Sequence, residues 1–176
     1  GLVAQNINAI TYDNLILSNG SIKTASGNIT VNADFTLSAA TTFVAGSYTH
    51  SILRHWVNNG TFSSSTGTVQ FTGINNANIT GTTTFNILTI NKSSVNNTVS
   101  LLNNVTAATV NMTEGKMLTG LNSITITTTR TGNSIILGTI IRTHTFNTAT
   151  AYAFEGPYNT INFSSATAVT SITVTV

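Results

Sequence analysis

The sequence contains no cysteine and very few charged residues. Without cysteine there are no disulfides, so stability must come from backbone hydrogen bonds and packing. Charged residues make up only 6% of the 176 residues, against about 25% in ordinary soluble domains. The polar surface must therefore consist mainly of Thr, Asn and Ser, and copies with such a surface repel each other little.

The lysines and arginines are too scattered to form a nucleic-acid surface. Such a surface needs clustered basic residues with interleaved aromatic residues, and the formal net charge here is only +2. We therefore predict no nucleic-acid partner. The basic residues are Lys23, Arg54, Lys92, Lys116, Arg130 and Arg142.

No stretch is apolar for long enough to cross a membrane as a helix, which takes about 18–20 residues. The densest apolar run, Ile135 to Ile141, is interrupted by Gly138 and Thr139. The sequence therefore predicts no membrane span. Proline is nearly absent as well, with Pro157 alone, which suits strands that keep their backbone donors.

Short alternating strands separated by polar turns fill the chain, most clearly from Trp56 to Asn91. Val69 and Phe71 alternate with polar neighbours, as in a strand with one buried face. Asn58-Asn59-Gly60 and Ser65-Thr66-Gly67 supply residues that tolerate positive φ, so the chain can turn after each strand.

Strand-turn units of about twenty residues, or twice that, repeat along the chain, and such periods are typical of solenoids and modular arrays. Thr, Val and Ile dominate, and no apolar i, i+3, i+4 series extends beyond two turns, so helices are not expected. We predict an all-β fold, with residues 11–129 forming a β-solenoid or β-helix-like stack of short strands.

The two ends of the chain differ from this central stack. After residue 130 the strands become longer and alternate more strictly, so we predict that residues 130–176 form a cap or a small antiparallel sandwich. Residues 1–10 lack turn residues and alternate weakly in apolarity, as a strand donated to a neighbouring molecule would.

The order Trp56, Asn59-Gly60-Thr61-Phe62, Gly67 to Phe71, Ile79-Thr80-Gly81 and Phe85 to Asn91 resembles the repeat modules of large bacterial secreted and surface proteins. Arg142 to Phe146 and Ala151 to Gly156 resemble the segment that ends such a module, although Glu155 and Pro157 depart from its usual pattern. The resemblance implies parallel β-helix rungs and an extracellular location. It implies no catalytic residues.

No combination of residues points to catalysis, so we predict that the chain is not an enzyme. The three histidines have no carboxylate neighbour in sequence, and no G-x-S-x-G motif is present. Glycoside cleavage needs two carboxylates that flank one glycosidic bond, and the carboxylates of this chain are widely spaced in the sequence. They are Asp13, Asp34, Glu114 and Glu155.

Metal and cofactor sites are not predicted either. The spacing of His50 and His55 places them on opposite faces of one strand with no third ligand near, so both are interpreted as surface or turn residues. No calcium loop occurs. Gly115-Lys116 lacks the remaining residues of a phosphate-binding loop.

Aromatic and threonine residues suggest two binding surfaces, each with a simpler explanation. Trp56 and the tyrosines could stack on sugars, but a core position for Trp56 is favoured. Thr125, Thr127 and Thr129 share one face of a strand, and a regular Thr array would bind ice. That hypothesis requires the same T-x-T in successive units, and the sequence spacing does not reveal it.

The leading hypothesis is a secreted structural protein that assembles with copies of itself into a surface filament or sheath. Assembly would occur by end-to-end stacking or by strand addition, which is slightly favoured. The alternative is a monomeric adhesin module that binds glycans or other surface proteins. The residues predicted for the assembly strands are Leu2, Ile7, Ile10, Ile172, Val174 and Val176.

Overall fold

A computed structural model describes residues 3–165 and 168–176. These residues contain no helix, and they form a parallel β-solenoid of about seven turns with a small antiparallel sheet near the C-terminus. The predicted all-β solenoid with an antiparallel C-terminal part is therefore confirmed. The described residues also include no helix that could cross a membrane.

The strands are short in the first half of the chain and longer in the second. In chain order they are β1 (Gln5–Ile7), β2 (Thr11–Tyr12), β3 (Leu15–Leu17), β4 (Ser21–Ala25), β5 (Ile29–Val31), β6 (Phe35–Leu37), β7 (Thr41–Val44), β8 (Thr49–Ile52), β9 (Trp56–Asn58), β10 (Thr61–Ser63), β11 (Thr68–Phe71), β12 (Ala77–Thr80), β13 (Thr83–Asn91), β14 (Thr98–Leu101), β15 (Val105–Glu114), β16 (Lys116–Thr131), β17 (Ile136–Thr143), β18 (Tyr152–Ala153), β19 (Thr160–Ile161) and β20 (Ser171–Thr175).

Each turn of the solenoid, here called a rung, adds a strand or part of a strand to each of three faces. The first face begins with β1, β4, β7 and β10, which pair in parallel in that order. The second face stacks β2, β5, β8, β11 and the C-terminal parts of β13, β15 and β16. The third face stacks β3, β6, β9, β12 and β14 against the first part of β16 and then of β17.

Alternation along each strand places every second side chain inside the solenoid. On the second face, Phe71 is in register with Ile52 below it and with Ile90 above it, and all three are buried. Parallel pairing in register therefore stacks like side chains into continuous apolar columns, each rung covering the one before it.

An aromatic column crosses the middle of the solenoid. The ring of Trp56 stacks on that of Phe35 with centroids 4.3 Å apart, and Trp56 is 0% exposed. The rings of Phe43, Phe62 and Phe85 follow one another at 5.9 and 5.7 Å. The predicted core position of Trp56 is confirmed, and the contact between Phe62 and Phe85 carries the first face from β10 on to the N-terminal part of β13.

A buried polar cluster marks the passage from β10 to β13. The hydroxyl of Thr83 accepts hydrogen bonds from Trp56 Nε1 at 3.3 Å and Asn58 Nδ2 at 3.1 Å, and donates to the Gly81 carbonyl at 3.0 Å. Gly81 has φ +86°, and a Cβ there would lie 1.8 Å from the Asn58 carbonyl oxygen. Only glycine fits this close approach.

Side chains at the corner before the third face link successive rungs. Asn14 Oδ1 accepts from the backbone N–H of Asp34 at 3.2 Å, and Asp34 Oδ1 accepts from the N–H of His55 at 3.2 Å. His55 Nδ1 accepts in turn from the N–H of Asn78 at 3.1 Å. These corner residues replace the ladder bonds that the turning backbone cannot make.

The C-terminal part departs from the parallel stack only after β17. β17 pairs in parallel with β16, whereas β20 pairs antiparallel with β17, and β18 and β19 form an antiparallel hairpin. The predicted boundary at residue 130 falls inside β16, so parallel stacking extends beyond it. At the other end, β1 lies within the predicted 1–10 segment and pairs with β4 of its own chain.

Candidate assembly surface

The residues predicted for the assembly strands lie at the two ends of the solenoid. Both terminal strands pair with strands of their own chain, so the contacts still open to a neighbour are at their outer edges. Leu2 lies outside the described residues. Ile7 is half-buried in β1, Ile10 is 54% exposed after it, Ile172 and Val174 are half-buried in β20, and Val176 is 53% exposed.

The N-terminal end presents three strand edges. β1 is the terminal strand of the four-stranded sheet, and β2 and β3 are the two terminal strands of the large sheet. Among the residues that the structure describes, no further strand pairs with these outer edges. Unpaired edges of this kind are templates for another chain.

A depression of about 340 Å³, lined by both polar and apolar residues, lies between these edges. Ile7, Leu15 and Leu17, which point inward in the first rung, line it together with Tyr12. The same four residues would be covered by a preceding rung if the stack continued, because the inward columns run through all of the remaining rungs. Within the described residues no rung covers the depression, although Leu15 and Leu17 are themselves buried.

Exposed apolar side chains occur near this end, as they do along the body and at the capped end. Val3, Ile10 and Ile16 are each more than half exposed, and Ile22 in the second rung is nearly so. Clusters of exposed large apolar side chains mark interaction surfaces more often than isolated ones do. The N-terminal end thus combines open edges, an open core and an apolar rim.

Lys23 is the one buried charge near the open end. It points inward from β4 in the column that Gln5 begins, is only 5% exposed, and donates through Nζ to Gln5 Oε1. A single neutral partner is a weak anchor for a buried ammonium group. Lys23 also lines the depression, so its charge lies close to whatever covers this end.

Two buried arginines anchor the opposite end. Arg142 donates to the carbonyls of Ala153 at 2.7 Å and Thr128 at 2.8 Å. Arg130 donates to the carbonyls of Gly132, Ser134 and Glu155, the last at 2.9 Å. These bonds tie residues 144–165, here called the cap, to the last rungs.

Burial in this environment lowers the pKa of both guanidinium groups. The pKa of Arg130 falls to about 10, chiefly through loss of solvation and also through repulsion from Arg142. The pKa of Arg142 is lowered by burial alone, against a small opposing effect of Tyr152. Both arginines thus remain charged at neutral pH and are held by backbone oxygens.

An aromatic cluster closes the capped end above these arginines. Phe146 packs edge-on to Tyr152 with centroids 4.7 Å apart and lies 5.2 Å from Phe163. Arg142 lies over the ring of Tyr152 at 5.5 Å, a cation–π contact. The inward columns of the last rungs are therefore sealed, unlike those of the first rung.

A fourth buried cation holds a corner of the body. Lys92 Nζ donates to the carbonyls of Leu53, at 3.1 Å, and of Thr72, so that one side chain joins three consecutive rungs. Burial lowers the pKa of Lys92 to about 8. Its role is to satisfy carbonyls at a turn.

Asp13 and Asp34 lie at the same corner of neighbouring rungs, where the Asp13 carbonyl accepts from the N–H of Ala33 at 2.8 Å, whereas Glu114 and Glu155 lie elsewhere. Asp34 makes a two-pronged ion pair with Arg54, with both N–O distances 2.7 Å, and this partner lowers the Asp34 pKa. Glu155 accepts from Asn159 Nδ2 at 2.6 Å in the cap. Asp13 follows β2 in the first rung, and Glu114 ends β15. Within residues 3–165 and 168–176, no three His, Asp or Glu side chains group as metal ligands would.

The histidines do not lie as the sequence predicted. His50 is in β8 and His55 precedes β9, so they belong to different strands, and the prediction of one shared strand is wrong. His50 is also not a surface residue: it is 2% exposed, with Nε2 2.9 Å from the Ala45 carbonyl. The turn at residues 53–55 could not be recognised because it contains neither Gly nor Pro.

The structure aligns threonines that their sequence spacing keeps apart. Thr84, Thr106 and Thr125 are register neighbours on β13, β15 and β16, and point outward. The column continues through Ile141 to Thr173 of β20. Rungs of unequal length hide this column in the sequence, since only register brings its members together.

Comparisons with protein-family models, with curated proteins and with solved structures found no match to this chain. Its fold and surfaces therefore carry the functional argument.

Proposed function

We propose that the chain is an extracellular structural protein, a subunit that assembles with copies of itself into a cell-surface filament, sheath or similar polymer. The observation that supports this most is the parallel stack itself, in which strands pair in register from rung to rung on each face. Where the end of one such stack meets the end of another, backbone donors and acceptors and apolar side chains gain hydrogen bonds and burial.

Two further features support assembly outside the cell. The surface has few charges, so copies meet little long-range repulsion. The extracellular part of the proposal rests on the resemblance to repeat modules of secreted and surface proteins. End-to-end stacking fits better than donation of a free strand, because β1 and β20 are both already paired within the chain.

Negative-stain microscopy and light scattering over a concentration series test this proposal. We expect fibres or tubes of constant width and scattering that rises above a threshold concentration. A chain that stays monomeric at every concentration would contradict the proposal and favour the adhesin module, for which binding to a glycan array is the next measurement.

A matched pair of variants links assembly to the open end. Ile10→Lys places a charge on the rim of the N-terminal end, whereas Ile74→Lys places one on a turn of the body where the isoleucine is equally exposed to solvent or more so. We expect Ile10→Lys to raise the threshold concentration several-fold and Ile74→Lys to leave it unchanged. Equal effects would show that the open end has no special role.

A second candidate function, ice binding, is favoured by the aligned threonines. Thr84, Thr106 and Thr125 repeat at the strand spacing of about 4.8 Å. Beside them, Ser123, Thr139 and Thr175 form a second outward column in register. A flat, uncharged grid of hydroxyls at regular spacing can order surface water in the way a crystal of ice requires.

Inhibition of ice recrystallisation tests this second candidate. Thr106→Lys would disrupt the middle of the grid, and Thr36→Lys on the third face is its control, since Thr36 is also half-buried and outward in a paired strand. We expect inhibition by the wild type and by Thr36→Lys but not by Thr106→Lys. Absence of inhibition by the wild type would rule out this function.

A further inference from the structure

Strand β16 enters the third face through a very short corner. Gly115 alone separates it from β15, whereas residues 92–97 precede β14 in the rung before and residues 132–135 precede β17 in the rung after. Glycine suits this corner, because its φ is +88° and a Cβ there would lie 2.9 Å from the Cβ of Lys92. The short corner is therefore recessed between two longer ones.

A depression of about 220 Å³ occupies this recess, in the body of the solenoid. Val95, which is 55% exposed, lines it from the corner of the rung before, and Ile135 lines it from the corner of the rung after. Apolar side chains thus face solvent in a hollow that is open to another molecule. The depression, here called the notch, is lined by Val95, Gly115, Lys116, Asn133, Ser134 and Ile135.

The same strand leaves the third face through a long corner. The register between β16 and β17 shifts there, so that residues 119–122 of β16 stand opposite Gly138 of β17 alone. Gly120 has φ +59°, and beyond its chain neighbours no atom lies within 4 Å of a Cβ placed there. The side chain of Leu121 is fully exposed. Residues 120–122 therefore project from the body and are here called the knob.

The knob and the notch lie at the same level on opposite sides of the third face, because one strand, β16, enters through the notch and leaves through the knob. The next rung has the reverse outline. Residues 132–135 project on the notch side, whereas Gly138 makes the turn on the knob side. One side is thus the complement of the other over two rungs, and a copy moved across the third face without rotation brings the two sides together.

Only parallel copies match in both rungs. If one copy were inverted with its knob still at the notch, residues 132–135 would face residues 102–104, the corner after β14, and two projecting corners would meet. The chemistry of the parallel contact also fits, since insertion buries Leu121 against the apolar side chains of the notch. Residues 119–123 carry no charge, so Lys116 at the notch meets no like charge.

We propose that copies of this chain associate side by side and in parallel, with Leu121 of one copy inserted into the notch of the next. This inference rests on the proposed self-assembly and specifies how a filament widens into a sheath. The contact joins two different surfaces, so it leaves a free knob and a free notch at the margins and extends into an open row. One contact is small, but stacked copies repeat it along the axis, and the contacts then act together.

Electron microscopy of matched variants tests this contact, because stacking changes the length of an assembly and side-by-side contact changes its width. Leu121→Lys places a charge on the knob at a fully exposed position, so folding should be unaffected. Ile74→Lys is the control, since Ile74 is exposed on the notch side of an earlier rung whose knob side carries the polar Thr82. We expect fibres or tubes several solenoids wide from the wild type and from Ile74→Lys, and fibres one solenoid wide from Leu121→Lys.

A crosslinker on the knob identifies the surface that receives it. The chain has no cysteine, so Leu121→Cys carries a single thiol, and a benzophenone attached to that thiol keeps the knob apolar. Assemblies of labelled chains, made from equal amounts of isotopically heavy and light protein, are illuminated and analysed by mass spectrometry. We expect crosslinks from position 121 of one chain to Val95, Ser134 or Ile135 of another. The same group on Ile74→Cys should give no crosslink to the notch.

Three results would overturn the inference while leaving the proposed self-assembly intact. They are crosslinks between two knobs, assemblies whose crosslinks from position 121 do not reach the notch, and fibres of unchanged width from Leu121→Lys. A wild type that stays monomeric in light scattering contradicts the proposed function instead, and this contact fails with it.

Discussion

The two ends of the solenoid protect the core by different means, although the same inward columns reach both. At the capped end, Ile140 lies in register between Ile124 and Val174, so it is covered on both sides. At the open end, Leu17 is covered by Leu37 on one side and lines the depression on the other. Within the described residues, inward side chains of the last rungs are thus covered on both sides, whereas those of the first rung are covered on one.

Two buried cations within a single inward column, Lys23 and Arg142, also differ between the two ends. Lys23 and Arg142 both point inward on the first face, near its beginning and near its end. Arg142 donates to two backbone carbonyls, whereas Lys23 donates to one side-chain oxygen. The cost of burying the charge is therefore offset better for Arg142 than for Lys23.

The largest expected effect comes from shortening an inward side chain at the capped end. Ile140→Ala leaves a cavity between two covering residues, and we expect a loss of about 3–4 kcal/mol in the free energy of unfolding. Ile7→Ala in the first rung should cost about half of that, since Ile7 is only half-buried. Urea unfolding of the two variants measures the difference, and equal losses would mean that the ends are equally well covered.

Removing the anchor of the cap should have the next largest effect. Arg142→Met leaves the carbonyls of Ala153 and Thr128 without their donor, and we expect a loss of about 3 kcal/mol at roughly 1–3 kcal/mol for each orphaned group. Urea unfolding gives the loss, and limited proteolysis shows whether residues 144–165 become accessible first.

Arg54→Met is the control for this cap variant. Its ion pair with Asp34 is partly exposed, so we expect a loss below about 1 kcal/mol. A cap that stays protected from protease in Arg142→Met would show that the aromatic cluster alone holds it.

Acid should destabilise both the body and the cap, with a smaller effect than either substitution. Burial lowers the pKa of His50, and burial together with the charge of Arg142 lowers the pKa of His144. The unfolded chain therefore binds protons more readily below about pH 6.5, so stability is full above that pH and falls as the pH drops through the folded pKa values.

Single replacements assign this acid sensitivity to its two places. His50→Gln should reduce the pH dependence of the urea midpoint. His144→Gln should instead reduce the increase in proteolytic cleavage of the cap that acid causes. If a single variant lost both the pH dependence of the urea midpoint and that of cap cleavage, the two histidines would not act separately.

The fold could be predicted because its determinants are local. Alternation such as that of Val69 and Phe71 indicates which residues point inward, and turn residues such as Asn59-Gly60 indicate where a rung bends. The repeating units then leave little choice but a stack. The antiparallel C-terminal part was also recognisable, since stricter alternation after residue 130 indicates strands with one solvent face.

The details of the site could not be predicted, because they depend on which rungs become neighbours. His50 is buried since its strand happens to place it in register with Ile29 and Val69, and no local pattern states that register. The link from Asp34 to His55 likewise joins residues a whole rung apart. Rungs of unequal length shift such partners by amounts that only three-dimensional stacking fixes.

The smallest expected effect is at the open end and tests the contrast between the buried cations. Lys23→Met keeps a long side chain in the column and removes a charge whose one partner is Gln5, so we expect a change in the free energy of unfolding of less than about 1 kcal/mol. Urea unfolding beside Arg142→Met, under identical conditions, measures it. A loss as large as that of Arg142→Met would mean that the ammonium group anchors the first rungs as firmly as the guanidinium anchors the cap.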